Sequence, residues 1–226
     1  MIRELGVLDQ DLGEHHGVFG MPARDDQQGV AYPMTFVLDE RGRVERKIAE
    51  ANYRVRDGGE RFFAQLTGGT PTPGDNDGGI RASVTKAEGP VVLSRARLDS
   101  PTYFAYQRLG LHLDLAIAAG WHAYGPTVPD GYQPLRVTAE STPPGARVGP
   151  IEWPPTRPFR VAGIAEEFAV YDGDLRLVVP VEFIIERGSG TAHLDVRVEF
   201  QACSETECLP PAAAGAAIDV PEAPTL

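Results

Sequence analysis

The sequence is short of several things, and each shortage closes off a class of protein. It has two cysteines in 226 residues, too few for a disulfide-dense secreted scaffold. No apolar run approaches the roughly 20 residues that cross a bilayer as a helix, so membrane insertion by this chain is not expected. Residues 1–20 carry Glu4, Asp9, Asp11, Glu14 and two histidines, and lack the apolar centre of an export signal. Basic residues are in deficit, 21 Lys and Arg against 32 Asp and Glu, for a formal net charge of -11. Such a surface cannot neutralise phosphates, which argues against nucleic acid or an anionic membrane as the main partner. There is no phosphate-binding glycine loop, Ser-His-Asp arrangement or workable carboxylate pair. Two cysteines without a nearby Cys or His pair fall short of four ligands, so neither metal nor other cofactor is expected.

What is abundant is turn-forming residues: 25 Gly and 20 Pro, beside a hydrophobic content of 42% that can form a core. Strand signals recur between Pro-rich breaks, at Arg108 to Ala118, Leu135 to Ala139, Gly163 to Val170, Leu175 to Ile185 and Ala192 to Phe200. Strands at this spacing without a convincing helix predict a mainly β fold, an antiparallel sandwich. In the last stretch Leu194, Val196, Val198 and Phe200 face inward, while His193, Asp195, Arg197 and Glu199 face solvent. The Gly/Pro/Asp-rich run Thr67 to Gly79 reads as a linker. It divides a segment of residues 1–66 from a sandwich of residues 80–226, with 67–79 between them.

In the first segment, Met34 to Leu38 predicts a strand, Asp39-Glu40-Arg41-Gly42 a turn and Arg43 to Ile48 a second strand. Arg56 to Leu66 places Phe62, Phe63 and Leu66 at helical spacing. Two strands and a helix cannot readily bury a core alone. The run Gly29-Val30-Ala31-Tyr32-Pro33-Met34-Thr35-Phe36-Val37-Leu38-Asp39-Glu40-Arg41-Gly42-Arg43-Val44 resembles the second half of a peroxiredoxin-like (AhpC/TSA) redoxin. The resemblance implies a partial thioredoxin-like α/β segment over residues 1–66, with Pro33 cis and facing an active site. It also implies that the redoxin's first strands and cysteine motif belong upstream of Met1, so no redoxin cysteine carries over to this chain.

The chemistry concentrates in Gln201-Ala202-Cys203-Ser204-Glu205-Thr206-Glu207-Cys208-Leu209-Pro210-Pro211. Four residues separate the thiols, in a polar turn between strands that can bring them within disulfide distance. Closing so small a loop removes little chain entropy, on the order of 2 kcal/mol, so the bridge is better placed to be opened than to stabilise. Glu205 and Glu207 disfavour a thiolate, which suits a disulfide that waits for a partner's thiolate rather than an initiating nucleophile.

Three stretches together resemble the N-terminal domain of the thiol:disulfide interchange protein DsbD, over about residues 90–220. They are Gly120-Trp121-His122-Ala123-Tyr124, the strand Leu175 to Phe183 with Val179-Pro180-Val181, and Phe200-Gln201-Ala202-Cys203 to Cys208-Leu209-Pro210-Pro211. The resemblance implies an immunoglobulin-like sandwich with Cys203 and Cys208 as its redox centre, Cys208 being attacked first. Trp121, His122, Tyr124 and Gln201 would contact or shield that centre. An aromatic cap implies Phe168, next to Glu166-Glu167, with Tyr171 nearby. The partners implied are thiols of thioredoxin-fold or redoxin proteins, because redoxins with an appended domain of this type account for both resemblances. The DsbD likeness points outside the cytoplasm, and the absence of an export signal allows the cytoplasm. The competing expectation is a non-enzymatic interaction module whose disulfide only staples a hairpin.

Overall fold

The computed structural model describes residues 34–49, 54–67, 79–85, 89–160 and 167–224. Its core is two facing sheets. One has β5 (Val91–Leu98), β6 (Gln107–Ile117), β12 (Asp174–Phe183) and β9 (Ala146–Val148), with β3 (Arg56–Asp57) added parallel to the start of β6. The other runs β4 (Ser83–Thr85), β15 (Ala212–Val220), β13 (Ala192–Phe200), β8 (Arg136–Thr142). All pairings within the two sheets except β3–β6 are antiparallel.

Alternation builds the space between them. Leu109, Leu111, Leu113 and Leu115 of β6 and Leu175, Leu177, Val179 and Val181 of β12 are buried in one cluster. They meet Leu194, Val196, Val198 and Phe200 of β13 and Ala214, Ala216 and Ile218 of β15. The predicted sandwich and the predicted inward face of β13 are both observed, and β13 spans Ala192–Phe200 as expected. Pro180 sits mid-strand without breaking the sheet. The β9 pairing begins only at Val181, so no ladder bond on that side needs the missing N–H, and the Pro180 carbonyl accepts from Gly149 N at 2.8 Å.

The outer face of β6 is covered as well, with His112 buried and Arg108 half-buried. Arg108 donates to Asp57 Oδ1 at 3.0 Å and to Glu182 Oε1 at 2.9 Å, which ties β3 to the sheet. After β3 comes the helix α1 (Gly59–Thr67), which contacts β6. Gly110 is required where it stands. Its N–H donates to Asp99 Oδ2 at 2.8 Å, and a Cβ there would lie 2.7 Å from that oxygen.

The predicted hairpin also forms, as β1 (Met34–Leu38) and β2 (Val44–Ala49) around a turn closed on the Asp39 carboxylate. Arg46 of β2 donates to the Gln65 and Leu66 carbonyls at the end of α1. A thioredoxin-like α/β unit finds no support. The described part amounts to one hairpin and one helix, and the remaining strand, β3, belongs to the sandwich sheet. Pro33, expected to be cis, lies outside the described residues; a cis bond is found instead at Thr142–Pro143. The strand expected over Gly163 to Val170 is seen from Glu167, residues 163–166 lying outside the described part. The third sheet, β10 (Arg157–Arg160), β11 (Glu167–Tyr171), β7 (His122–Tyr124) and β14 (Ala202–Cys203), is small and carries the cysteines.

Candidate functional site

Everything around the cysteines is made from short pieces. β14 leaves the end of β13 after Gln201 and pairs with β7, setting Ala202 against Ala123 and Cys203 against His122. The chain then reverses tightly. Ser204 N donates to the Glu207 carbonyl at 2.8 Å, and Leu209 N donates to the Ala202 carbonyl at 2.9 Å. The Ser204 hydroxyl oxygen accepts from the backbone N–H groups of Thr206 and Glu207, both at 3.2 Å. This turn sets Cys208 directly against Cys203, and the two form a disulfide with Cα atoms 4.1 Å apart. Gln201 clamps the arrangement: its Oε1 accepts from Gln133 N at 3.1 Å and its Nε2 donates to the Leu209 carbonyl at 3.0 Å.

The two cysteines occupy different environments. Cys203 is 1% exposed, whereas Cys208 lies on the surface with Glu205 and Glu207. Cys203 is enclosed by Tyr124, Phe168 and Val170, with Val128, Tyr132 and Phe159 packed around them. The rings of Tyr124, Tyr132 and Phe168 are mutually in contact, with centroids 5.0 to 5.4 Å apart. The Tyr124 hydroxyl lies 3.4 Å from Cys203 Sγ and 3.7 Å from Cys208 Sγ. A disulfide has no S–H, so the hydroxyl is the only possible donor in either contact. Burial pushes the Tyr124 phenol up, with Tyr132 adding to the effect, so at neutral pH it keeps its proton.

The hairpin β10–β11 forms a lid over this pocket. Phe159 and Phe168 are register partners in it, and both pack into the cluster around Cys203. Its ends are pinned by exposed ion pairs, Arg160 to Glu167 at 2.8 Å and Arg157 to Asp172; pairs this exposed contribute little. His122 is buried between Phe159 and Tyr124, with ring centroids 4.1 Å and 5.8 Å away.

The structure brings together Cys203, Cys208, Phe168, His122, Tyr124 and Gln201, and places two other expected residues elsewhere. Tyr171 is buried in the main core, its hydroxyl donating to the Pro154 carbonyl at 2.9 Å. Trp121 is half-buried against that same core. Sequence reasoning missed Phe159 and Tyr132. Phe159 could be found only from the register of a hairpin whose first strand begins in a Pro-rich stretch, and Tyr132 sits in a loop of prolines and glycines with no periodic signal. No group of three or more His, Cys, Asp or Glu suited to a metal ion occurs among the described residues.

Comparison with known families matches residues 96–219, more than half of the chain, to the family described as thiol:disulfide interchange protein DsbD, N-terminal. The chain belongs to this family. Among solved structures, it is similar to the DsbD N-terminal domain of Neisseria meningitidis in the reduced form, 12% identical with a TM-score of 0.34, covering 64% of this chain and 85% of that one. It is also similar to the N-terminal periplasmic domain of ScsB from Proteus mirabilis, 20% identical with a TM-score of 0.39. That match covers 64% of this chain and 48% of the other, so the chain spans about half of that relative. No curated protein matches. Membership of the DsbD N-terminal family bears out one of the two sequence resemblances. The redoxin resemblance gains no support, and neither does an appended redoxin domain.

Proposed function

We propose that this DsbD N-terminal family member exchanges electrons with partner thiols through the Cys203–Cys208 couple. The observation that carries the reading is the asymmetry of the disulfide: one cysteine is exposed and the other is buried beneath a protonated tyrosine hydroxyl. An incoming thiolate can reach Cys208 and not Cys203. Attack on Cys208 Sγ makes a mixed disulfide there and expels Cys203 as a thiolate, which the Tyr124 O–H is placed to stabilise. In the opposite direction Cys208 attacks a substrate disulfide and Cys203 resolves the mixed disulfide. Phe168, Phe159 and Tyr132 shield Cys203 from solvent and from direct attack, which directs incoming thiols to Cys208. Gln201 fixes the cysteine turn, and the partners are thiols of thioredoxin-fold proteins.

The equilibrium reduction potential of the couple, read by thiol trapping across a glutathione or dithiothreitol series, tests this. A value between about -180 and -280 mV lies in the range of exchange proteins. A Cys203→Ser variant should then hold a partner as a stable mixed disulfide on Cys208. A value well below about -300 mV is that of a structural bridge and would overturn the reading, leaving a binding module with a stapled hairpin.

A further inference from the structure

One polar atom in the pocket has no role in the exchange as described. His122 is 2% exposed, and its Nε2 is buried without a hydrogen-bond partner. Such an atom costs free energy to keep, and where it persists it calls for a reason. The β7–β14 register sets His122 directly opposite Cys203. Opposed residues of an antiparallel pair project to the same face with Cβ atoms about 4.5–5.5 Å apart, within reach of an imidazole and a sulfur. Contacts with Phe159 and Tyr124 hold the ring in the wall of the same pocket. The titratable and charged groups facing it are Tyr124 on its own strand, Cys203 on β14, Arg157 on β10, and Asp172 just after β11. Burial, then Arg157, lowers the affinity of the ring for a second proton, and Asp172 opposes them.

We propose that His122 is the proton partner of Cys203: its Nε2 hydrogen-bonds the Cys203 sulfur in the reduced protein, and the ring passes on the proton that sulfur gains and loses with each opening and closing of the disulfide. The inference rests on the exchange reading above. A partner thiolate forms a bond to Cys208 Sγ as the Cys203–Cys208 bond breaks, leaving Cys203 as a thiolate. A second partner thiol then displaces Cys208. The partner ends as a disulfide and this protein as a dithiol, so two electrons have passed. The two protons released by the partner's thiols finish on Cys208 and Cys203, the latter by way of His122.

The test is a magnetic-resonance titration of the His122 ring in the oxidised and reduced protein, beside a titration of the Cys203 thiol in a Cys208→Ser variant. Cys203 is a thiol through the range in which His122 titrates, and its S–H donating to Nε2 favours the neutral ring. His122 is therefore expected to titrate about one pH unit lower in the reduced protein. His122→Phe, which keeps an aromatic ring against Phe159, should raise the Cys203 titration by about one unit, a tenfold change in proton affinity. His122→Gln, which retains a side-chain N–H, should recover most of that change. Equal titration of His122 in both redox states, or a Cys203 titration unmoved by His122→Phe, overturns the proposal. The two readings fail separately. A potential outside the exchange range with the linkage intact defeats the relay alone, and a potential inside it without linkage defeats the proton partner alone.

Discussion

The main core and the disulfide pocket are built by opposite means. The core is aliphatic and carried on long strands such as the 11-residue β6 and the 10-residue β12, each paired along most of its length. The pocket is aromatic and hangs on a three-residue and a two-residue strand, roofed by one hairpin. Long ladders share the load among many backbone bonds, so the core opens only when the whole sandwich opens. A short ladder under a hairpin opens at a lower free energy than the fold as a whole. Exchange chemistry needs that difference. The buried sulfur must be shielded from attack and still free to leave when Cys208 is attacked, while the platform beneath it holds still.

Truncation in the core should therefore cost stability and spare the chemistry. Leu113 is fully buried between the sheets. Leu113→Ala is expected to lower the unfolding free energy by about 2–5 kcal/mol in urea, with the reduction potential of the couple unchanged. A shift of the potential along with the stability would mean that the two regions act as one unit, and the contrast would break.

The core side has a weak point of its own on the outer face of β6. Both ring nitrogens of His112 are buried without hydrogen-bond partners. Burial, with Arg97 and Arg61 adding to it, lowers its pKa from 6.5 to about 4. The unfolded chain therefore binds a proton in this window that the folded chain refuses. Stability from this group is complete above the unfolded value and is lost as pH falls from 6.5 towards 4. The loss should approach about 3 kcal/mol at the acid end. Urea unfolding of His112→Leu across that range should show a flatter dependence on pH. An unchanged slope would assign the acid sensitivity to other groups.

This contrast also governs what could be read in the sequence. β13 was legible because its buried and exposed residues alternate strictly through nine positions. β15, of equal length, was not, because its inward Ala214 and Ala216 are as small as the outward Ala213 and Ala217 and the period disappears into alanine. β5 also passed unnoticed, its alternation interrupted by a register shift between Leu93 and Arg95. At the site, the cysteine couple, Gln201, His122, Tyr124 and Phe168 were readable from local motifs. Phe159 and Tyr132 were not, since both reach the pocket through tertiary pairing. Tyr171 was drawn to the site by its closeness in sequence to Phe168. The two lie three positions apart on one strand and so project to opposite faces.

On the pocket side, Phe168→Ala should sharpen the contrast. Phe168 is 2% exposed and packs on Tyr124 and Tyr132. Removing it unroofs Cys203 without touching the sandwich and opens a second point of attack beside Cys208, so dithiothreitol should reduce the disulfide about tenfold faster, equivalent to about 1.4 kcal/mol off the barrier. The loss of global stability should be smaller than for Leu113→Ala. A variant whose disulfide opens no faster would show that the aromatic roof does not control access.

The smallest effect isolates a single hydroxyl. Tyr124→Phe keeps the ring and its contacts with Tyr132, Phe168 and His122, and removes only the donor 3.4 Å from Cys203 Sγ. Lid and packing stay as they were, so any change in rate belongs to the sulfur that leaves. A hydrogen bond of this kind is worth about 1 kcal/mol net, which predicts reduction by dithiothreitol about fivefold slower with little change in stability. The sign carries the information. Slower opening means that the hydroxyl assists the departing Cys203 thiolate, whereas faster opening means that it had been holding the closed disulfide in place. In that second case the pocket would protect the couple against exchange, and the division between a rigid platform and a reactive roof would have to be redrawn around Tyr124.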